Sequence, residues 1–171
     1  MKMKIFHGSK KIIEKPQFGV GKIHNDYGRR FYCTESLEIA KEWACDYLED
    51  GFANAYKLDC EELKILNLND KKYNILHWLS ILIQNRTFSS NNEMEIMSKK
   101  FLMEKYNIDI SEDDLIIGYR ADDSYFRFAE DFLNNSISVE KLERAKDINK
   151  ASVGTVKNIA ETLGCNIEEI I

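Results

Sequence analysis

The chain has 171 residues, of which 44% are hydrophobic and 31% charged, and its formal net charge is -5. This length and apolar content predict one globular domain with a hydrophobic core and argue against disorder. The acidic balance disfavours a dedicated binder of phosphate backbones, which needs a concentrated excess of lysine and arginine. The N-terminus has no apolar stretch long enough for a signal peptide, and no segment approaches the roughly 20 apolar residues of a membrane span. We therefore expect a cytoplasmic protein.

In chain order, strand patterns alternate with helix patterns in the first part of the sequence. MKMKIF alternates polar and apolar residues, as a strand with one buried face does. Gly8 to Arg30 contains the only proline, Pro16, and glycines at positions 19, 21 and 28, and it predicts a long loop, a feature that is often functional in compact domains. RFYCT predicts a short aromatic strand, and TESLEIAKEWACDYLED predicts a helix capped by Thr34 or Ser36. ANAYKLDC and LKILNLN predict two more strands.

The second part of the sequence is mainly helical. KKYNILHWLSILIQNR and NEMEIMSKKFLMEKYN predict two helices, DLIIGYRADD predicts a strand, and SYFRFAEDFLNN and SVEKLERAK predict two further helices. Strands with helices inserted between them favour an α+β domain over a regular βαβ array. We predict this domain over residues 1–146 and a separate helical tail over residues 147–171.

The four cysteines, Cys33, Cys45, Cys60 and Cys165, show no CxxC spacing. The sequence therefore supports neither disulfides nor zinc, and we interpret these residues as buried or unreactive thiols. No metal site is predicted.

Residues able to bind a ligand concentrate at the end of the first strand and in the second. Gly8 follows His7 and has no side chain to keep a ligand from the backbone, and Ser9 adds a hydroxyl. Tyr32 offers a flat face for a planar ring, and Trp43 in the next helix offers a second wall. Considered one at a time, His7 is best interpreted as a structural histidine, and Tyr32 and Trp43 are best interpreted as core residues.

Four segments together resemble an uncharacterised bacterial family, DUF3990, which is placed with the ADP-ribosyltransferases: FHGSKKIIEKPQFG, NDYGRRFYCTESLEIAKEWAC, DLIIGYRADDSYFRFAEDF and ISVEKLERA. In those enzymes a strand ending in His-Gly-Ser or His-Gly-Thr precedes a Gly-x-x-x-Tyr strand and a helix. The resemblance implies an ADP-ribosyltransferase-like α+β fold, with a split small β-sheet that grips NAD. It also implies NAD-dependent transfer of ADP-ribose to an unknown macromolecule, or hydrolysis of NAD. Because such relatives are often toxin-like, it implies an antitoxin partner as well.

The resemblance further implies roles for individual residues. His7 would hydrogen-bond the ribose or amide at the nicotinamide end of NAD, and the Gly8 backbone would receive the carboxamide. Tyr32 would stack on the nicotinamide ring, and Trp43 would close the other side of the pocket. The other residues expected to bind the cofactor are Ser9, Tyr27, Gly28 and Phe31.

The catalytic carboxylate is harder to assign. Cleavage of the nicotinamide N-glycosidic bond passes through an oxocarbenium-like state that a nearby carboxylate stabilises. In the resembling family the acid lies on a late strand after the SVEKLERA helix, and here we expect that strand to be absent. Asp122 and Asp123 follow a predicted strand, so we prefer them to Glu130 as the source of this carboxylate. The alternative is that one of the two aspartates caps the next helix and the other is a solvated neighbour. Together with His7 and Tyr32 they form the predicted catalytic set.

Two departures from the family pattern remain. Arg30 puts a bulky cation where the family favours glycine before the aromatic strand. SVGTVKNIAETLGCNIEEII resembles the closing helices of Cro/repressor-type helix-turn-helix domains without their recognition helix, so we expect no direct DNA reading. An amphipathic helix that packs on the body or on a partner is the preferred interpretation.

Two alternatives to an active enzyme stay open. One is a catalytically inactive ADP-ribosyltransferase fold that binds NAD, a nucleotide or a protein partner. The other is a truncated regulator built around the helix-turn-helix remnant.

Overall fold

A computed structural model describes residues 2–45, 48–88, 92–121, 123–146 and 153–156. Within these ranges the strands are β1 (Lys2–Ser9), β2 (Phe31–Thr34), β3 (Phe52–Asp59), β4 (Ile65–Asn67), β5 (Leu115–Gly118) and β6 (Val153–Val156). The helices are α1 (Leu37–Ala44), α2 (Ile75–Asn85), α3 (Glu93–Lys105), α4 (Asp123–Leu133) and α5 (Val139–Lys146). The predicted α+β class is confirmed, and the elements before β6 follow the predicted order.

One mixed sheet joins the strands in the order β3-β1-β2-β6-β5-β4. β1 pairs with β3 along all of its eight residues, but it is paired with β2 only at Phe6 and Thr34. β4 and β5 are parallel, and β6 is antiparallel to both β2 and β5. Because the contact between β1 and β2 is so short, the end of β1 separates from the start of β2.

The strand β6 corrects the prediction for the tail. We expected no strand after α5 and a helical segment from residue 147, but residues 153–156 form a strand between β2 and β5. Val153, Thr155 and Val156 are β-branched, and neighbouring strands on both sides give each residue a partner. None of these four residues is acidic, so β6 itself carries no catalytic carboxylate. The rest of the tail, with its predicted helices, lies outside the described residues.

Helices cover the sheet and enclose most of the core. The largest cluster of buried side chains lies around α2, α4 and α5 and includes the fully buried Trp78. A second cluster contains Ile5 of β1, Phe31 of β2 and Tyr56 of β3. α1 packs on β1 and β3 through a small cluster that includes Ala40. Its N-cap is Ser36, whose hydroxyl accepts a hydrogen bond from the Ile39 N–H, so one of the two predicted caps is confirmed.

Gly8 is required by the packing of α1 on β1. A Cβ at this position would lie 2.1 Å from the Ala40 carbonyl oxygen and 2.7 Å from the Ala44 nitrogen. Both are backbone atoms of α1, which cannot move aside without displacing the whole helix. The absence of a side chain at Gly8 thus serves the packing of a helix, and the contact of the Gly8 backbone with a ligand stays a prediction.

This packing predicts that Gly8→Ala lowers the free energy of unfolding by about 3 kcal/mol, because overpacking of this kind displaces backbone. The matched control is Gly21→Ala, since the nearest atom to a Cβ there is the Arg30 carbonyl oxygen at 3.9 Å. Urea unfolding of the two variants and the wild type measures the difference. Equal stability of the two alanine variants would contradict the role of Gly8 in packing.

Candidate functional site

A cavity of about 740 Å³ lies where the end of β1 separates from the start of β2. Its walls come from six parts of the chain: β1, the loop before β2, β2 itself, α1, the segment that follows α2, and the segment that follows β5. Its volume falls within the range of about 300 to 1,000 Å³ that is usual for small-molecule sites. Because these walls are far apart in sequence, only the folded chain forms the site.

Five of the predicted site residues line this cavity: His7, Gly8, Phe31, Tyr32 and Trp43. Ser9, Tyr27 and Gly28 do not belong to its lining, and each has a structural contact instead. The Ser9 hydroxyl accepts a hydrogen bond from Asn54 Nδ2 at 3.0 Å. Tyr27 is buried, and its hydroxyl donates to the Tyr119 carbonyl at 2.7 Å. Gly28 has a φ of +75°, a left-handed conformation that favours glycine.

Of the two predicted catalytic aspartates, the structure describes one. Asp122 lies outside the described residues, and Asp123 is the first residue of α4. Ala121, which directly precedes them, lines the cavity. The start of α4 is therefore two residues along the chain from a residue that lines the cavity.

His7 is held in one tautomer by the backbone of β2. Its Nδ1 lies 2.6 Å from the Tyr32 carbonyl oxygen, and a carbonyl can only accept, so Nδ1 carries the proton. The ring also contacts Phe31, with 4.5 Å between the ring centroids. Burial lowers the pKa of His7 below its ordinary value, and it outweighs the opposing effect of this hydrogen bond. His7 is therefore neutral at pH 7, with Nε2 as the acceptor of the ring.

Tyr32 forms a fixed wall of the cavity. Its hydroxyl donates to the Gly28 carbonyl at 2.7 Å and accepts from the Tyr27 N–H at 3.0 Å. Burial raises the pKa of Tyr32 far above its ordinary value, so the side chain stays a phenol at neutral pH. With its hydroxyl used in this way, Tyr32 supplies a ring face rather than a proton.

Asp26 is a site residue that the sequence analysis missed. It is 6% exposed, and its Oδ2 accepts a hydrogen bond from the Ala121 N–H at 2.7 Å. Its Oδ1 lies 3.3 Å from Nη1 of Arg86, with which it forms an ion pair. One carboxylate thus connects the loop before β2, the end of α2 and the segment after β5. Its partners lie 60 and 95 residues away, so no local pattern indicates this role.

The cavity is positively charged although the chain is acidic. Lys15, Lys22, Arg86 and Arg120 line it, and Asp26 is the one acidic side chain among its described lining residues. The guanidinium carbon of Arg120 lies 5.2 Å from the centroid of the Trp43 ring, a cation–π contact. The Nε1 of Trp43 is buried and has no hydrogen-bond partner among the described residues. An anionic ligand with a planar group and an acceptor atom fits these features best.

Arg30, which stands where the family favours glycine, is held by backbone carbonyls outside the loop. It also lines the cavity, but its guanidinium donates to the carbonyl of Asp113 at 2.9 Å and to the carbonyl of Ile110. Arg30 is 7% exposed, so it is a buried anchor for the segment before β5. In this chain the cation has a structural use that a glycine could not fulfil.

The described cysteines, Cys33, Cys45 and Cys60, are thiols, and the first and last are buried. No group of three or more histidine, cysteine or acidic side chains in the described part of the chain is arranged to hold a metal ion. A search of the same residues finds no helix with the length and apolar character that crossing a membrane requires.

Fold and site together define a small mixed α+β protein with a cationic cavity that has aromatic walls. The chain belongs to the family described as a protein of unknown function (DUF3990), whose model matches residues 3–158. The matched range extends past residue 146, where we predicted the domain to end, and includes β6. Neither a curated protein nor a solved structure gives a significant match to the chain.

The Asp26 ion pair predicts that Asp26→Asn lowers the free energy of unfolding by about 2 kcal/mol, because a partly buried Arg86 loses its counter-charge. Glu38→Gln is the control, since the Glu38–Lys41 pair is exposed and such pairs contribute about 0 to 1 kcal/mol. Urea unfolding measures both changes. A loss for Asp26→Asn no larger than that for Glu38→Gln would contradict the role of Asp26.

The lowered pKa of His7 predicts a pH effect on stability. Protonation of His7 is less favourable in the folded chain than in the unfolded chain. The free energy of unfolding therefore decreases as pH falls below about 6.5, the ordinary pKa of histidine. A proton NMR titration should give His7 a midpoint below 6.5, its signal being assigned by its loss in His7→Gln. That variant should also lose less stability between pH 7 and pH 5. A midpoint at or above 6.5 would contradict the prediction.

Proposed function

We propose that this chain is an NAD-dependent enzyme that transfers ADP-ribose to a macromolecule or hydrolyses NAD. The proposal starts from the resemblance of its HGS and GRRFY segments to those of ADP-ribosyltransferases. The observation that carries it is that His7, Tyr32 and Trp43, from three separate elements, line one cavity together with five cationic side chains. An antitoxin partner and a macromolecular acceptor belong to the same proposal and are implied by the resemblance alone.

The chemistry of the cavity suits a dinucleotide. The diphosphate of NAD is anionic, and Arg86, Arg120, Lys15 and Lys22 offer it charge-assisted hydrogen bonds. The nicotinamide ring is planar and suits an aromatic wall such as Tyr32. Nε2 of His7 is an acceptor for a ribose hydroxyl or for the carboxamide N–H, and the unpartnered Nε1 of Trp43 is a donor for a carbonyl.

The proposed reaction breaks the bond between the nicotinamide nitrogen and the ribose C1. Nicotinamide leaves with the bonding electron pair, and the resulting oxocarbenium ion is captured by water or by a nucleophile of the acceptor, which then loses its proton. Positive charge develops on the ribose, so a carboxylate beside it lowers the barrier. Asp122 and Asp123 are the proposed source, because they follow a residue that lines the cavity.

A second candidate function is binding of NAD or another nucleotide without cleavage. Two observations favour it. The carboxylate of Asp26 is engaged by Arg86 and by the Ala121 N–H, and β6 contains no acidic residue. The charge and aromatic walls would then serve recognition only.

Nicotinamide release from NAD by the full chain, followed by chromatography, tests the first candidate. We expect His7→Ala to reduce release by about 100-fold, since it removes the acceptor that orients the ribose or amide. Asp122→Asn combined with Asp123→Asn should have an effect of similar size. His24→Ala is the matched control, because His24 is exposed and does not line the cavity, and it should leave release unchanged.

Binding of NAD separates the two candidates. Trp43 lines the cavity, so titration with NAD should change tryptophan fluorescence, and Trp43→Phe should remove this change. Binding without nicotinamide release would overturn the enzyme and support the second candidate. Neither binding nor release would overturn both.

A further inference from the structure

The first part of the loop between β1 and β2 is positioned by side chains rather than by backbone pairing. Residues 11–24 make no backbone–backbone hydrogen bond to any described residue. Ile13, Lys15 and Gln17 belong to this segment and line the cavity, so their position depends on other contacts. Asp26 holds the end of the loop that leads into β2. The end that leaves β1 needs a separate set of contacts.

Asn54 of β3 supplies the first of these contacts. It lies opposite His7 in the register of β1 and β3 and is 6% exposed. Its Oδ1 accepts a hydrogen bond from the Ile13 N–H at 2.8 Å. Its Nδ2 lies 3.0 to 3.4 Å from four oxygen acceptors, which are the Ser9 hydroxyl and the carbonyls of His7, Lys11 and Phe52. Burying an amide is costly unless its donors and acceptor are used in this way, so Asn54 joins β1, β3 and the loop.

Tyr56, two residues further along β3, binds the other backbone group of Ile13. It is 1% exposed, and its hydroxyl donates to the Ile13 carbonyl at 2.7 Å. Its ring contacts Phe31 edge to face, with 5.8 Å between the centroids, and Phe31 lines the cavity. Alternate residues of a strand point to the same face of the sheet, so Asn54 and Tyr56 act on Ile13 together. Both the N–H and the carbonyl of Ile13 are bound by β3.

β3 thus influences a cavity that it does not line. None of its residues, 52–59, belongs to the lining. Ile13 does belong to it, and Lys15 lies two residues further on, at most about 7 Å along the chain. Because the backbone of Ile13 is fixed, Lys15 has fewer positions open to it and loses less entropy when its ammonium binds an anion.

We propose that Asn54 and Tyr56 are positioning residues of the cavity, which hold Ile13 and thereby place Lys15 for contact with the diphosphate of a nucleotide. The choice of a diphosphate rests on the proposed function, but the positioning requires only binding and not cleavage of NAD. Asn54 and Tyr56 touch no ligand themselves. They act through the backbone of the loop.

Binding of ADP to the full chain, measured by isothermal titration calorimetry, tests this positioning. ADP carries a diphosphate and has no nicotinamide bond to break. We expect Lys15→Met to weaken binding about tenfold, because it removes a charge-assisted hydrogen bond. Asn54→Leu should weaken binding by a similar factor, and the double variant should lose about tenfold rather than a hundredfold, since Lys15 contributes little once Ile13 is released. A role of Asn54 in stability alone would leave the effect of Lys15→Met the same in both backgrounds.

Tyr56→Phe is a second and milder variant, because it keeps the buried ring and removes only the hydroxyl. Its matched control is Tyr125→Phe. Tyr125 is 2% exposed, and its hydroxyl donates at 3.1 Å to the carbonyl of Leu142, which belongs to α5 and not to the loop. We expect Tyr56→Phe to weaken ADP binding about threefold and Tyr125→Phe to leave it unchanged.

Three results would overturn the positioning role. They are additive effects of Asn54→Leu and Lys15→Met, equal effects of Tyr56→Phe and Tyr125→Phe, and no binding of ADP by the wild type. Coupling between Asn54 and Lys15 without nicotinamide release from NAD would support the positioning role and overturn the enzyme. Nicotinamide release with additive effects on ADP binding would do the reverse.

Discussion

The buried carboxylate of Asp26 is the interaction on which the cavity depends. Burying an acidic group is costly unless a counter-charge and hydrogen bonds replace its water. Asp26 obtains both, from Arg86 at the end of α2 and from the Ala121 N–H after β5. The loop before β2 is neither a helix nor a strand, so the regular hydrogen bonds of those elements do not fix its position. The contacts of Asp26 fix it instead. Three walls of the site are fixed through one side chain.

The properties of His7 follow from the position of that loop. Tyr27, next to Asp26, is buried in the core and its hydroxyl donates a hydrogen bond to the Tyr119 carbonyl. Gly28 follows in a left-handed conformation and reverses the direction of the chain. The hydroxyl of Tyr32 is then held by the backbone of these two residues. Tyr32 in turn presents its carbonyl to His7 Nδ1, which leaves Nε2 as the acceptor. The tautomer of the histidine is therefore a consequence of loop packing more than 15 residues further along the chain.

Features of the fold that depend on residues close together in the chain could be predicted from the sequence. The first strand and the Ser36 cap of α1 are predicted from neighbouring residues, and both are found in the structure. His7, Tyr32 and Trp43 were grouped through a resemblance, and they do line one cavity. β6 was missed because it has only four residues in a stretch with apolar residues at helical spacing, and its partners are far away in the chain. The packing roles of Arg30 and Gly8 were missed because their neighbours, the segment before β5 and the backbone of α1, are not visible in a local pattern.

Charge connects the site to the function proposed for this chain. A cavity lined by Lys15, Lys22, Arg86 and Arg120 attracts anionic groups such as the diphosphate of a dinucleotide. Asp26 is the one acidic side chain among the described lining residues, and its carboxylate is already engaged by Arg86 and by the Ala121 N–H. It therefore offsets part of the charge of Arg86, while Lys15, Lys22 and Arg120 keep the cavity cationic. The ion pair that fixes the walls of the site thus also limits how much positive charge the site offers to a ligand.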